Sequence, residues 1–152
     1  MAITVTRLAL AVGLLAALPA VADAQVGSYE GLFGARLGGA QRQSIYVGVG
    51  HITHYSSEDH SAQTLELEMG RSAGQVGLGL SSQGQMTPIF RGQMVALRTW
   101  RRPSDLAANQ TFVGTEVQIS LLVGVSFGTY WRVRGNAPGD ARYHAVRLVV
   151  GI

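Results

Sequence analysis

The chain contains no cysteine and no lysine. The lack of cysteine excludes a disulfide scaffold, and it also excludes a lipoprotein anchor, which requires an N-terminal cysteine. All basic residues are therefore arginines, which form multidentate ion pairs well. The net charge of +3 is too small and too dispersed to indicate binding to nucleic acid. The glycines recur at strand spacing with no helix after them, so no phosphate loop and no cofactor are indicated.

The first 24 residues have the organisation of a secretory signal peptide. Arg7 is followed by the apolar segment LALAVGLLAALPAV and by the small-x-small triplet that ends at Ala24. The apolar core of about fourteen residues is shorter than the roughly twenty that a spanning helix needs. We expect residues 1–24 to be removed, which leaves residues 25–152 as one β-barrel domain.

No helical periodicity follows the signal peptide, and proline occurs only at loop-like positions. Short turn clusters separate segments in which apolar and polar residues alternate, as in a strand with one apolar face. The clearest is TEVQISLLVGV, residues 115–125. Eight strands are predicted: Tyr29–Gly38, Ser44–Tyr55, Gln63–Arg71, Gln75–Ser82, Phe90–Arg102, Thr111–Val123, Phe127–Gly135 and Arg142–Ile152.

Two faces follow from this alternation. The apolar face includes Val117 and Val146 and, in the fifth strand, Val95 and Leu97, while Met94 and Ala96 fall on the polar face. The polar face combines glycines with charges of both signs, a composition that suits the narrow interior of an eight-stranded barrel, where glycine makes room for long arginines. We therefore predict a charge network in the lumen, formed by Glu30, Arg36, Glu66, Glu68, Arg98, Glu116, Arg132, Arg134 and Arg147.

The opposite arrangement stays open at this point. A soluble periplasmic β-barrel or sandwich has the same alternation, with the apolar face inside and the polar face in water. Such a protein would bind a small apolar ligand in its interior. In a membrane barrel, aromatic residues near strand ends form girdles at both interfaces. The candidates are Tyr29, Tyr46, Tyr55, Phe90, Trp100, Phe112, Phe127, Trp131 and Tyr143.

The pattern of the whole mature chain resembles the small eight-stranded outer-membrane β-barrels of Gram-negative bacteria. The last strand, ARYHAVRLVVGI, alternates apolar residues up to Ile152, where that family usually has an aromatic residue. The resemblance implies an antiparallel up-and-down transmembrane barrel with a structural or interaction role and no catalysis. It further implies contact with outer-membrane lipid and lipopolysaccharide, and recognition of the last strand by the barrel assembly machinery. Both termini would be periplasmic, with Gly124-Val125-Ser126 as a tight periplasmic turn.

One segment, HITHYSSEDH, is dense in groups that could perform chemistry. Histidines and carboxylates at this density could bind zinc or copper. On a strand, however, His51 and His54 point to opposite faces, and His60 falls in the predicted turn. We therefore expect a solvated hairpin end and no metal site.

The same segment is similar to outer-membrane lipid A 3-O-deacylases, which have a His-x-Ser motif and a downstream Glu. The resemblance implies that Ser56 attacks an acyl ester, that His54 is its base and that Glu68 orients the histidine. All three have even numbers, so they share a face if the alternation continues through the turn. In that family the motif lies on the last two strands, whereas here more than half of the mature chain follows it.

Overall fold

In a computed structural model, eight antiparallel strands form one closed barrel. The structure describes residues 26–84, 87–101, 106–136 and 141–151, so the predicted signal peptide lies outside the described residues. The prediction of eight antiparallel strands is confirmed. No helix in these four ranges is long and apolar enough to cross a membrane. The strands are β1 (Tyr29–Gly38), β2 (Arg42–Tyr55), β3 (Asp59–Gly70), β4 (Ala73–Gly84), β5 (Ile89–Thr99), β6 (Thr111–Ser120), β7 (Val123–Arg134) and β8 (Arg142–Gly151).

Each strand pairs with its neighbour in sequence, and β1 closes the ring by pairing with β8. The closing ladder joins residues 34–38 of β1 to residues 147–151 of β8. Along these residues the closure pairs the edges of β1 and β8, so their backbone donors and acceptors are satisfied within the sheet. We call the end that carries the β1–β2, β3–β4, β5–β6 and β7–β8 connections the upper end, and the opposite end the lower end.

The turn between β6 and β7 differs from the prediction. Leu121 and Leu122 form it, and the Leu121 N–H donates to the Val123 carbonyl at 3.3 Å. The segment 124–126, predicted to be the turn, lies in β7 and pairs with residues 118–120 of β6. Gly124 is a strand glycine because a Cβ there would collide with the backbone of β6, so the glycine marks a close approach and no turn.

The two faces of the barrel have opposite character. Apolar side chains on the outer face are exposed along all eight strands. Representative members, in strand order, are Phe33, Val47, Leu67, Leu78, Met94, Val117, Val125 and Val146. The inner face is buried and mostly polar, with an apolar cluster near the upper end that contains Ala40, Ala73, Val95, Leu97, Leu106, Phe112, Tyr130 and Ala145.

Strand β5 reverses the predicted assignment of its faces. Val95 and Leu97 are 4% and 1% exposed, whereas Met94 is 72% exposed, so the odd-numbered residues point inward. Leu97 pairs with Gln75 of β4 and with Phe112 of β6, and it packs into the upper apolar cluster. The middle of β5 is apolar on both faces, with Val95 and Leu97 inside and Met94 and Ala96 outside. The pattern of hydrophobic residues therefore does not identify the inner face of this strand.

Candidate functional site

A network of three arginines and three glutamates lies at the centre of the lumen. Strand alternation turns each of these side chains inward, and each residue is at most 2% exposed. The members are Arg36 on β1, Glu66 and Glu68 on β3, Arg91 on β5, Glu116 on β6 and Arg147 on β8.

Arg36 is the hub of one half of the network. Its Nη1 donates to Glu66 Oε1 and to Glu68 Oε2, both at 2.5 Å, and its Nη2 donates to Glu66 Oε2 at 3.0 Å. The Arg91 Nη1 also donates to Glu66 Oε2, at 2.9 Å. The Arg36 Cζ lies 4.4 Å from the ring centroid of Tyr46, so the ring covers one face of the guanidinium.

Arg147 is the hub of the other half. Its Nη1 donates to both oxygens of Glu68, at 2.9 and 3.0 Å, and its Nη2 donates to Glu116. Glu116 also accepts from the Tyr130 hydroxyl at 3.2 Å and from Gln75 Nε2 at 3.1 Å. With Ser44, which donates to Glu68 at 2.5 Å, the network receives a side chain from every one of the eight strands.

The balance of charge makes this burial tolerable. Removing an ion from water costs several kcal/mol, and the cost is recovered only when geometry and hydrogen bonding are good. Three positive and three negative groups cancel, and each carboxylate contacts at least one guanidinium. These side chains fill the middle of the lumen and join strands that are far apart in the ring. The network therefore links opposite walls of the barrel across the lumen.

Four of the residues predicted for the network lie elsewhere. Arg98 is on the outer face, because β5 has the reversed assignment, and it donates to Thr111 at 2.7 Å. Arg132 is half-buried and Arg134 is exposed, because β7 reaches the upper rim at these positions. Glu30 lies at the lower end, where its carboxylate is 3.1 Å from His60 Nε2.

Arg91 is the member that sequence analysis missed, and its strand explains why. It shares the inner side of β5 with Gln93 and Thr99. These three odd-numbered polar residues were the available signal, but the hydrophobic residues at 95 and 97 outweighed it.

The inward glycines make room for tyrosines. A Cβ at Gly34 would lie 2.5 Å from the Tyr46 hydroxyl, and a Cβ at Gly128 would lie 2.5 Å from the Tyr130 hydroxyl. Both rings therefore lie flat along the wall and reach the network from the side. At the upper end, a Cβ at Gly39 would lie 3.0 Å from Cδ of Arg147, but Gly39 belongs to the β1–β2 connection and is not one of the strand glycines assigned to the polar face.

The deacylase-like residues do not come together. A β-bulge at the register shift between Ile52 and His54 pairs His54 with Ser61, which leaves the His54 side chain 65% exposed. Glu68 lies seven residues further along β3, roughly 23 Å away at about 3.3 Å per residue, and it is bound by arginines. The prediction that the three residues share a face is wrong, because the bulge breaks the alternation.

Ser56 and His54 instead share a different carboxylate. The Ser56 hydroxyl donates to Asp59 Oδ1 at 2.5 Å, and His54 Nε2 lies 3.7 Å from the same oxygen. In this arrangement the Ser56 hydroxyl is paired with the Asp59 carboxylate, which differs from the serine–histidine pairing that the resemblance implies. The contacts describe a solvated hairpin end.

The three histidines of the same segment also remain separate. His51 contacts the ring of Tyr29, with centroids 5.2 Å apart, and His60 faces Glu30. Among the described residues, no three histidine, cysteine or carboxylate side chains are grouped so that they could hold a metal ion. No protein-family model, curated protein or solved structure matches the chain.

Proposed function

We propose that the protein is an integral β-barrel of the bacterial outer membrane, with a structural or interaction role in the envelope. One observation carries this proposal: apolar side chains cover the outside of the barrel on all eight strands, and the buried charges lie inside. A membrane barrel has this arrangement, with lipid against the apolar face and the polar face toward the lumen.

The extent of the apolar surface supports the proposal. Soluble monomers rarely expose a contiguous apolar patch larger than about 300–600 Å². Here the exposed surface continues around the ring, with Leu78 at 63%, Leu80 at 64% and Val146 at 68% exposed. Burial of this surface in water would require a partner on every side, whereas a bilayer covers it all at once.

Strand length and the aromatic residues point the same way. The strands have 10 to 14 residues, and a tilted strand needs about 9–11 to cross hydrocarbon. Exposed aromatic side chains stand at both ends: Tyr29, Tyr55 and Phe90 at the lower end, Trp100 and Trp131 at the upper end. Tyr46 and Phe112, predicted for the girdles, point into the lumen, and half-buried Tyr143 packs against Phe112 and Tyr130.

The lumen disfavours the soluble alternative. A barrel that binds a small apolar ligand needs an apolar interior, and ion pairs occupy this one. The same filling disfavours a channel, since Arg36, Glu68 and Glu116 are at most 1% exposed. The connections 39–41, 56–58 and 71–72 are short, so we expect any interaction role to be modest. A structural role in the envelope therefore fits better than transport.

Two measurements on the same preparation test the proposal. The protein purified in detergent should migrate differently on a gel before and after boiling, because a closed ladder surrounded by lipid or detergent resists unfolding at room temperature. Membranes that contain the protein should retain it through washes with salt and carbonate. Release by carbonate as a monodisperse soluble protein would overturn the membrane assignment.

A further inference from the structure

The upper end of the barrel concentrates the arginines that the lumen does not use. They are Arg42, Arg71, Arg98, Arg101, Arg132, Arg134 and Arg142. Apart from the lumen network, every described carboxylate lies at the lower end, namely Glu30, Glu58 and Asp59. The sequence of the upper connections adds Asp105 and Asp140, so the arginines still outnumber the acids there.

Three of these arginines line one depression of about 700 Å³. Arg42 begins β2, Arg71 follows β3 and Arg101 follows β5, so three neighbouring connections bring the guanidinium groups to one place. All three residues are exposed, and no described carboxylate forms an ion pair with them. A cluster of guanidinium groups without an ion pair to any described carboxylate favours a multivalent anion.

The backbone around the depression is fixed. The Arg101 N–H donates to the Ser72 carbonyl at 3.2 Å, and the Trp100 Nε1 donates to the Arg71 carbonyl at 3.1 Å. These bonds join the β5–β6 connection to the β3–β4 connection and hold Arg71 and Arg101 beside each other. The backbone positions from which the two arginine side chains extend are therefore set before a ligand arrives.

Exposed apolar side chains stand on the outer face beside these arginines, and we call them the apolar wall. Leu37 lines the depression itself and is 46% exposed. Met69 and Trp100 are exposed two residues before Arg71 and one residue before Arg101, and both lie close to Gly74. A site with guanidinium groups beside exposed hydrocarbon has the chemistry that a lipid with an anionic headgroup requires.

We propose that the depression formed by Arg42, Arg71 and Arg101 binds the phosphate of a membrane lipid. This inference rests on the proposed function, since it places the apolar wall in the bilayer. Arginine matches phosphate with paired N–H donors, and the acyl chains of the same lipid would lie against the apolar outer surface beside the depression. The barrel would thereby carry a preferred anionic lipid at one fixed point of its perimeter.

Trp100 provides a local reporter for the test. The chain has two tryptophans, so Trp131→Phe leaves Trp100 alone beside the depression. This variant is reconstituted in phosphatidylcholine vesicles, and brominated phosphatidylglycerol or brominated phosphatidylcholine is added as quencher. We define the preference as the ratio of the quenching of Trp100 by brominated phosphatidylglycerol to its quenching by brominated phosphatidylcholine. This ratio should rise by about five-fold for each arginine that contacts the phosphate.

Matched charge variants separate a site from a general attraction. In the same background, Arg42→Gln/Arg71→Gln should lower the preference by about 25-fold, to no more than the roughly five-fold that Arg101 alone contributes. Arg134→Gln/Arg142→Gln removes equal charge from the same end and should leave the preference unchanged. Equal loss in both pairs, or no preference in the parent protein, would overturn the site. Gel migration before and after boiling verifies that each variant is folded.

Two further arms complete the experiment. Inorganic phosphate is compared with sodium chloride at the same ionic strength. A loss of the lipid preference that is specific to phosphate is expected, because the free anion competes for the same guanidinium groups. Equal effects of phosphate and chloride would mean that the preference is a general attraction of charges, which would overturn the site. If neither brominated lipid quenches Trp100, the barrel is not in the bilayer and the proposed function itself fails. Quenching without preference refutes only the site.

Discussion

Replacing Glu116 by leucine tests the lumen network directly. The carboxylate receives hydrogen bonds from Arg147, Tyr130 and Gln75, and it lies 3.9 Å from the Nε of Arg36. Leucine fills a similar volume but accepts nothing. The substitution leaves three buried arginines against two glutamates, so one positive charge loses its counterpart.

The expected loss of stability follows from this imbalance. Breaking a buried pair by removing one partner costs about 3–5 kcal/mol. Arg147 keeps its two bonds to Glu68, so we expect the lower part of that range for Glu116→Leu. The double variant Glu116→Leu/Arg147→Met restores the balance. Because exchange of a whole buried pair for apolar residues is often close to neutral, the double variant should recover about half of the loss or more.

The assay is denaturant-induced unfolding of the folded barrel in phosphatidylcholine vesicles, followed by tryptophan fluorescence. Val117→Leu is the matched control: Val117 adjoins Glu116 but points outward, so a change there should stay within about 0.5 kcal/mol. A neutral Glu116→Leu would refute the network. So would a double variant whose loss equals the sum of the two single losses, because independent residues add and coupled residues do not.

The remaining predictions use the same unfolding assay. Gly34→Ala should destabilise the barrel by about 1–3 kcal/mol, because its Cβ would meet the Tyr46 ring and the Val150 carbonyl. Gly92→Ala is its control and should be neutral, since nothing lies within 4 Å of a Cβ there. Equal effects of the two would contradict the packing argument. Val117→Arg should cost about 2–4 kcal/mol in the bilayer, since it places a charge on the lipid face, and tolerance of it would argue against lipid contact.

The strands and most of their faces could be predicted from the sequence because both depend on a local signal. Alternation of apolar and polar residues identifies the two faces of a strand without knowledge of its pairing partners. In β6 this alternation runs without interruption from Val113 to Ile119. The inward orientation of Arg36, Glu66, Glu68, Glu116 and Arg147 follows from the same period. The pairing of these residues follows in turn, because a narrow lumen brings opposite strands within reach of long side chains.

Other features depend on contacts that no local pattern records. The inner face of β5 is set by Leu97 packing against Phe112 across the ladder. The bulge before His54 adds one residue to β2 within the β2–β3 ladder. The residues of β2 after the bulge therefore point to the face opposite to the one that strict alternation predicts. The β6–β7 turn is made of two leucines and carries none of the usual turn residues.

The lumen network depends on a property that arginine has and lysine lacks, namely N–H donors on several separate nitrogens of one side chain. Arg147 contacts Glu68 through one terminal nitrogen and Glu116 through the other, and Arg36 divides its nitrogens between Glu66, Glu68 and Gln118. A lysine ammonium is a single point and cannot span two carboxylates in this way. Arg42, Arg71 and Arg101 form no ion pair with a described carboxylate, so their guanidinium groups can bind an external anion. The same residue type therefore closes the inside of the barrel and leaves its upper end able to bind phosphate.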